Sequence, residues 1–250
     1  MPNSRDLSRE IPWPKRVNTP GDAVRFIDAV GFCLLFPVKN VALPSLYYVM
    51  ARRIPITWDK YTIKLWEWKD NFPRHRRAYY AKYFKGRGTF ISLKFLPYFL
   101  AMRDAAAAPE DYERFYAAGR ISHDARAIWK ALADHGPLAT LELRHACKMD
   151  SKAGNVRFKK AMNELQCLLI VTHFGAEQET AAWASGRFEL TTRAFSKQAE
   201  QARGIMPESA RAALARKYQE WHPDAPAMTL TRLFGWSKAD AVAARAAAAG

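Results

Sequence analysis

The chain has 250 residues and 28.4 kDa, 49% hydrophobic and 13% aromatic. That is enough apolar material for one large core or two to three small ones, and it excludes a disordered or low-complexity chain. Thirty-nine Lys and Arg against 24 Asp and Glu leave +15 and a pI near 9.9, a surplus that favours a polyanionic partner or an anionic membrane face without specifying a fold.

The first ten residues, Met1 to Glu10, carry four charges and no apolar run. The longest oily stretch, Val30 to Val38, is far shorter than the ~20 residues of a spanning helix, so neither an export signal nor a membrane segment is expected. After this leader, Thr19 as cap, Pro20 in the first turn, Asp22 three residues after the cap and the spacing of Ala23, Phe26, Ile27 and Val30 predict a helix that Gly31 stops. A second helix is expected over 44–53. A third is expected from about Trp58 to Asn71, capped by Thr57, with Tyr61, Leu65 and Trp68 on one stripe and Pro73 closing it. Thr89 to Met102 reads as a strand or a buried helix, with Pro97 forcing a break. Ala105 to Pro109 marks a boundary, followed by a short connecting helix over 110–118.

From Ile121 the pattern sharpens. Ser122 precedes a helix with Ala125, Ile128, Trp129 and Leu132 inward, stopped by Gly136 and Pro137. A short helix behind a Thr140 cap, a longer one over about Asn155 to Leu168, and strand-like runs 169–174 and 187–191 follow. Three helices and a hairpin in that order make a winged helix, with the third helix as the element that enters a major groove. Beyond Arg193 the chain is again helical, over 207–221, 229–234 and 238–249, in the order expected of a truncated second copy.

Positive charge is concentrated. Arg52 to Arg103 holds thirteen basic residues against Asp59, Glu67 and Asp70. Inside it, Arg74, Arg76, Arg77, Lys82, Lys85 and Arg87 meet no acid; with Arg52 and Arg53 they form a candidate phosphate-contacting set. The intervening Tyr79, Tyr80, Tyr83 and Phe84 have the π-faces to stack on an exposed base, but a core role, for Tyr80, Tyr83 and Phe84, is the favoured reading; Gly86 to Gly88 is a basic tip too short for a phosphate loop. On the third helix of the winged unit, Lys152, Asn155, Lys159, Lys160 and Asn163 are candidate DNA contacts, Asn through adenine and Lys through phosphate. The hairpin adds His173, Arg187 and Arg193. Cys33, Cys147 and Cys167 share no CxxC spacing and lie in apolar contexts, which reads as reduced thiols in a cytoplasmic protein. The six histidines have no zinc spacing, and nucleotide-loop and nucleophile-elbow motifs are absent, so neither metal nor cofactor is expected. Glu67 and Asp70, among Trp66, Trp68 and cations, are the weak candidates for a catalytic carboxylate; ordinary ion pairing is the plainer reading.

Three stretches in sequence resemble the tandem winged-helix DNA glycosylases of the AlkZ and YcaQ type. Gly31-Phe-Cys-Leu-Leu-Phe-Pro-Val-Lys-Asn-Val41, ending in Ala51-Arg52-Arg53, is similar to that family's early motif of Gly, Gln-x-Asp or Gln-x-Gln, Pro-Val-Asn-Val-Val and a later Ser-Arg. Leu65-Trp-Glu-Trp68 with Pro73 is similar to its Leu-Phe-Glu-Tyr-Trp segment. Gly136-Pro137-Leu138, the helix through Leu165, and Phe188-Glu-Leu190 are similar to its winged helix, and Ala210 to Gly235 to the start of the next one. The likeness runs over about Gly21 to Ala244. Carried across, the family's catalytic pair falls on Leu34 and Phe36, which can neither position water nor accept a proton. The chain also ends before the barrel that longer members carry.

The resulting expectation is a mainly α protein with small β-hairpin wings in a tandem winged-helix (helix-turn-helix) architecture. It divides into a leader 1–18, an N-terminal helical, winged-helix-like domain 19–108, a central winged helix 109–200 and a C-terminal helical segment 201–250. Its expected partner is double-stranded DNA, bound without base excision. Two alternatives differ in class: a monofunctional glycosylase with a substitute carboxylate, or a winged-helix protein-interaction module.

Overall fold

The structure is a computed structural model that describes residues 13, 16–39, 41–53, 55, 57–177 and 184–249. Most of the expected leader, Asn40 of the early motif and the tip of the second hairpin lie outside these residues.

Helix α1 (Pro20–Val30) forms as its sequence dictates. Thr19 Oγ1 accepts from Asp22 N at 3.1 Å, the Asp22 carboxylate accepts from Thr19 N at 3.0 Å, and Gly31 leaves the helix at a φ of 81°. Strand β1 (Phe32–Leu34) follows, then α2 (Leu46–Ala51), capped by Ser45, and α3 (Lys60–Arg74). Asp59, not Thr57, caps α3: its Oδ1 accepts from the amides of Tyr61 and Thr62, at 3.0 and 2.9 Å. Pro73 lies inside the last turn of α3 and the helix runs one residue past it. Strand β2 (Tyr79–Lys82), a single 3-10 turn (Phe84–Gly86) and β3 (Gly88–Ile91) close an antiparallel sheet in the order β1-β3-β2.

The ambiguous apolar run 89–102 is both things in succession: the end of β3, then α4 (Leu96–Arg103). Pro97 starts this helix instead of breaking it, because a missing N–H is harmless in the first turn. A short α5 (Tyr112–Ala117) connects to α6 (His123–His135), which Ser122 caps as expected. Strand β4 (Leu138–Ala139), α7 (Thr140–Ala146), α8 (Lys152–Cys167), β5 (Val171–Glu177) and β6 (Ser185–Leu190) follow, the sheet running β4-β6-β5. Two caps differ from expectation. Thr140 is the first helical residue and its hydroxyl donates to Gly186 O, while Ser151 starts α8 three residues earlier than predicted.

The order helix, strand, helix, helix, strand, strand, with the last strand in the middle of the sheet, thus occurs twice. The two units meet along their outer strands. Thr172 Oγ1 on β5 donates to Tyr80 O on β2 at 3.0 Å, and Tyr79 Oη donates to Val171 O at 3.4 Å. Across this seam the third helix of each unit packs on the other unit: α3 against β5, and α8 against β2 and its 3-10 turn.

After β6 come α9 (Thr191–Ala194), α10 (Ser196–Arg203), α11 (Pro207–Gln219), α12 (Ala227–Phe234) and α13 (Lys238–Ala249). They include no strand among the described residues. Helices α10 and α11 pack on α4 and α13 on α11, and Trp221 and Phe234 reach Phe32 on β1 at ring distances of 5.1 and 5.8 Å. One apolar cluster therefore runs from Phe32 to Ala244 through both sheets, and a second, under α1 to α3, fills the N-terminal side. The C-terminal helices cover the first sheet. No described helix is long and apolar enough to cross a membrane.

Candidate nucleic-acid interface

Folding divides the cations of Arg74 to Arg87 into two groups at opposite ends of β2. Arg74, Arg76 and Arg77 follow from the end of α3, and the first two turn toward the second unit. Arg76 Nε donates to Ala194 O at 2.8 Å with its guanidinium over Phe174, and the Arg74 methylenes lie against Gly175. Arg77 lies over Phe72. Arg76, expected on phosphate, is in this structure a tie between the units. Tyr79, Tyr80, Tyr83 and Phe84 are buried, so the aromatics between the cations are core.

At the other end, Lys82, Lys85 and Arg87 are exposed and without an ion pair among the described residues. Helix α8 holds this hairpin by its backbone: Gln166 Oε1 accepts from Lys82 N at 3.0 Å, and Cys167 Sγ donates to Lys82 O at 3.2 Å. Gly86 touches Asn163 so closely that a Cβ there would stand 2.8 Å from Asn163 Oδ1. Asn163, expected to read a base, is therefore spent on the contact between units. One turn and more before it on the same stripe, Lys152, Lys159 and Lys160 are exposed and unpaired among the described residues; Asn155 is half-buried. Lys82, Lys85 and Arg87 on the hairpin and Lys152, Lys159 and Lys160 on α8 are thus exposed cations of two elements that pack on each other.

Other expected contacts are occupied. Arg187 pairs with Glu177 at 3.2 Å and donates to Pro137 O, and Arg193 donates to Leu132 O and Ala133 O at the end of α6. Arg53 pairs with Asp59, and Arg52 donates to Trp13 O at 2.8 Å. His173, expected on the wing surface, is buried between Tyr80 and Phe188.

Between α3 and β5 the seam encloses charge that the sequence did not reveal as a cluster. Lys69 Nζ, on a side chain 9% exposed, lies 2.7 Å from Asp70 Oδ1 and over the Trp66 ring. Asp70 Oδ1 is also 3.2 Å from His173 Nδ1, though not aligned for a good hydrogen bond. Burial pushes Lys69 below the usual lysine range against the pull of Asp70, and Lys82 adds to the fall. Burial likewise lowers His173, with Asp70 opposing and Lys69 and Lys82 assisting, so the imidazole is neutral near pH 7. Burial raises Asp70, but its close neighbours His173, 3.2 Å away, and Lys69, 2.7 Å away, outweigh it and hold the carboxyl below the usual range. Glu67, the other candidate carboxylate, is exposed and accepts from Asn71 Nδ2 at 3.4 Å. No group of three or more His, Cys, Asp or Glu among the described residues could hold a metal.

A family model described as AlkZ related matches residues 17–235. The chain belongs to the AlkZ-related family. No curated protein matches it, and no solved structure does. In this AlkZ-related chain Leu34, the last residue of β1, is fully buried in an apolar cluster with Phe32, Val41 and Leu43. Phe36 is half-buried against Tyr47, at a ring distance of 5.6 Å. From there a contact path reaches one carboxylate, Asp59, which accepts from Tyr47 Oη at 2.7 Å. Burial works against its charge, but the Thr62 amide, the Tyr47 and Thr62 hydroxyls and Arg53 hold its carboxyl below the usual range. The amides of Tyr61 and Thr62 hold its Oδ1 as the α3 cap, and Tyr47 and Arg53 hold Oδ2.

Proposed function

We propose that this AlkZ-related chain is a double-stranded DNA-binding protein built from two winged-helix units in tandem, 19–108 and 109–200, with 201–250 as a helical cover. The repeated element order and strand order support the architecture, since each unit has the three helices and the hairpin of a winged helix. The observation that carries the function is the exposure of Lys82, Lys85, Arg87, Lys152, Lys159 and Lys160 on two elements that pack on each other. These cations are exposed and lack an acidic partner among the described residues, so phosphate contact would release counterions without first breaking an ion pair. With Asn163 and Gln166 facing the other unit, base readout is confined to the first turns of α8, where Asn155 stands.

Base excision through the family's paired polar residues is not expected on this proposal: the resemblance puts those positions on apolar Leu34 and Phe36, and the nearby Asp59 caps a helix. The test is fluorescence anisotropy with a short duplex at two salt concentrations. Six phosphate contacts predict an affinity loss of roughly a thousandfold between about 50 and 200 mM salt. Absence of binding at the lower salt, or binding indifferent to salt, overturns the reading; the latter, with capture of an acidic protein, would favour the protein-interaction alternative.

A further inference from the structure

Lys69 is not one of the cations assigned to phosphate, and no other lysine among the described residues is buried. Its surroundings are those of a reactive amine rather than of a solvated cation. Asp70 lies 2.7 Å from the nitrogen, the indole of Trp66 covers it, and Trp66 is itself 43% exposed, so the amine is one ring's depth from solvent. Lys82 is near enough that its charge disfavours protonation of Lys69. A lysine desolvated beside a second cation is the usual environment of an amine that attacks carbonyl carbon. Intact DNA offers such a nucleophile no carbonyl of comparable reactivity to the aldehyde of a deoxyribose that has lost its base.

We propose that Lys69 Nζ captures the C1′ aldehyde of an abasic deoxyribose as an imine, at the seam between the two units. This rests on the DNA-binding reading above. Asp70 takes one proton from the ammonium; the freed lone pair forms the N–C1′ bond; the carbonyl C–O bond breaks, and its oxygen leaves as water with the two remaining amine hydrogens. Nothing is oxidised or reduced. Lys82 and the α8 lysines hold the flanking phosphates, and displacement of the Trp66 ring opens the amine to the gap where the base is missing.

The experiment incubates the full chain at low salt with a duplex carrying a single abasic aldehyde, in cyanoborohydride, which converts an imine into a stable secondary amine. A duplex carrying a tetrahydrofuran spacer, which has no aldehyde, is the control, and binding of both is followed by anisotropy. The expected result is a covalent adduct with the aldehyde duplex only, mapped to Lys69 by peptide mass in the wild-type protein. It falls at least tenfold in Lys69→Arg, which keeps the charge beside Asp70 but forms no imine. Bound duplex without adduct, or adduct spread over surface lysines and undiminished in Lys69→Arg, overturns the proposal while leaving DNA binding intact. Failure of either duplex to bind removes the DNA reading, and this proposal with it.

Discussion

At the scale of single residues, this protein uses its charged side chains in two ways that composition does not separate. Arg76, Arg187 and Arg193 each donate to a backbone carbonyl and so act as ties, whereas Lys85, Lys159 and Lys160 have no ion pair among the described residues. Arginine suits the first role because its planar fork satisfies several acceptors at once, and lysine suits a mobile phosphate contact. Glu189 is a third case: it is 5% exposed on the central strand β6, with the Leu190 amide donating to it at 2.6 Å. Burial raises its carboxyl above the usual range, with the Leu190 amide and two arginines opposing. A group with a raised folded-state pKa binds its proton more readily in the native state. Its contribution to stability is present at low pH and is lost as pH rises from about 4.3, the unfolded value, through the folded one. Glu189→Gln removes that titration, so the wild type should lose urea stability relative to the variant as pH climbs from about 4 toward neutrality. Parallel pH profiles would show that burial does not govern this carboxylate.

At the scale of elements, the sequence was most legible where local chemistry is self-contained. The capping box at Thr19 and Asp22, the Gly31 stop and the Ser122 cap all lie where the residues predict, because each needs partners only three or four positions away. Expectation failed where a residue has two local roles to choose between. Thr57 and Asp59 can both cap α3, and Asp59 is fixed by Tyr47 and Arg53, which are distant in sequence. Asn163 looked like a groove-facing amide because helix periodicity does not say which exposed stripe a second unit will cover. Gly86 makes that contact testable. At a φ of 67° and with Asn163 against it, Gly86→Ala should cost about 1 to 2 kcal/mol from backbone strain alone, and more from the clash. The double variant with Asn163→Ala should recover the clash component but not the strain, giving a measurable coupling in denaturant melts. Strictly additive losses would mean that the two residues do not touch.

At the scale of the whole molecule, the two units are joined so that each third helix lies partly on the other unit, while Lys152, Lys159 and Lys160 of α8 stay exposed. A protein that binds DNA this way should respond to substitution according to which side of the seam a cation faces. Lys159→Gln with Lys160→Gln should reduce the slope of log affinity against log salt by about 1.8, alike for every duplex sequence. Arg187→Gln, which breaks the tie to Pro137 O and Glu177, should leave that slope unchanged and lower the melting temperature. Equal slope changes in both would place the duplex elsewhere on the surface. By itself the sequence determined most of the helical elements, the hairpin of the second unit, the excess of positive charge and the apolar residues at Leu34 and Phe36, since all of these follow from local spacing and composition; the first hairpin, Tyr79–Lys82 with Gly88–Ile91, was not legible there. Only the tertiary structure decided which cations are free and which are ties, that the same element order occurs twice, and that Lys69, Asp70 and His173 share one buried place. Residues some hundred positions apart are brought together only when two outer strands meet, and no periodicity along the chain records that encounter.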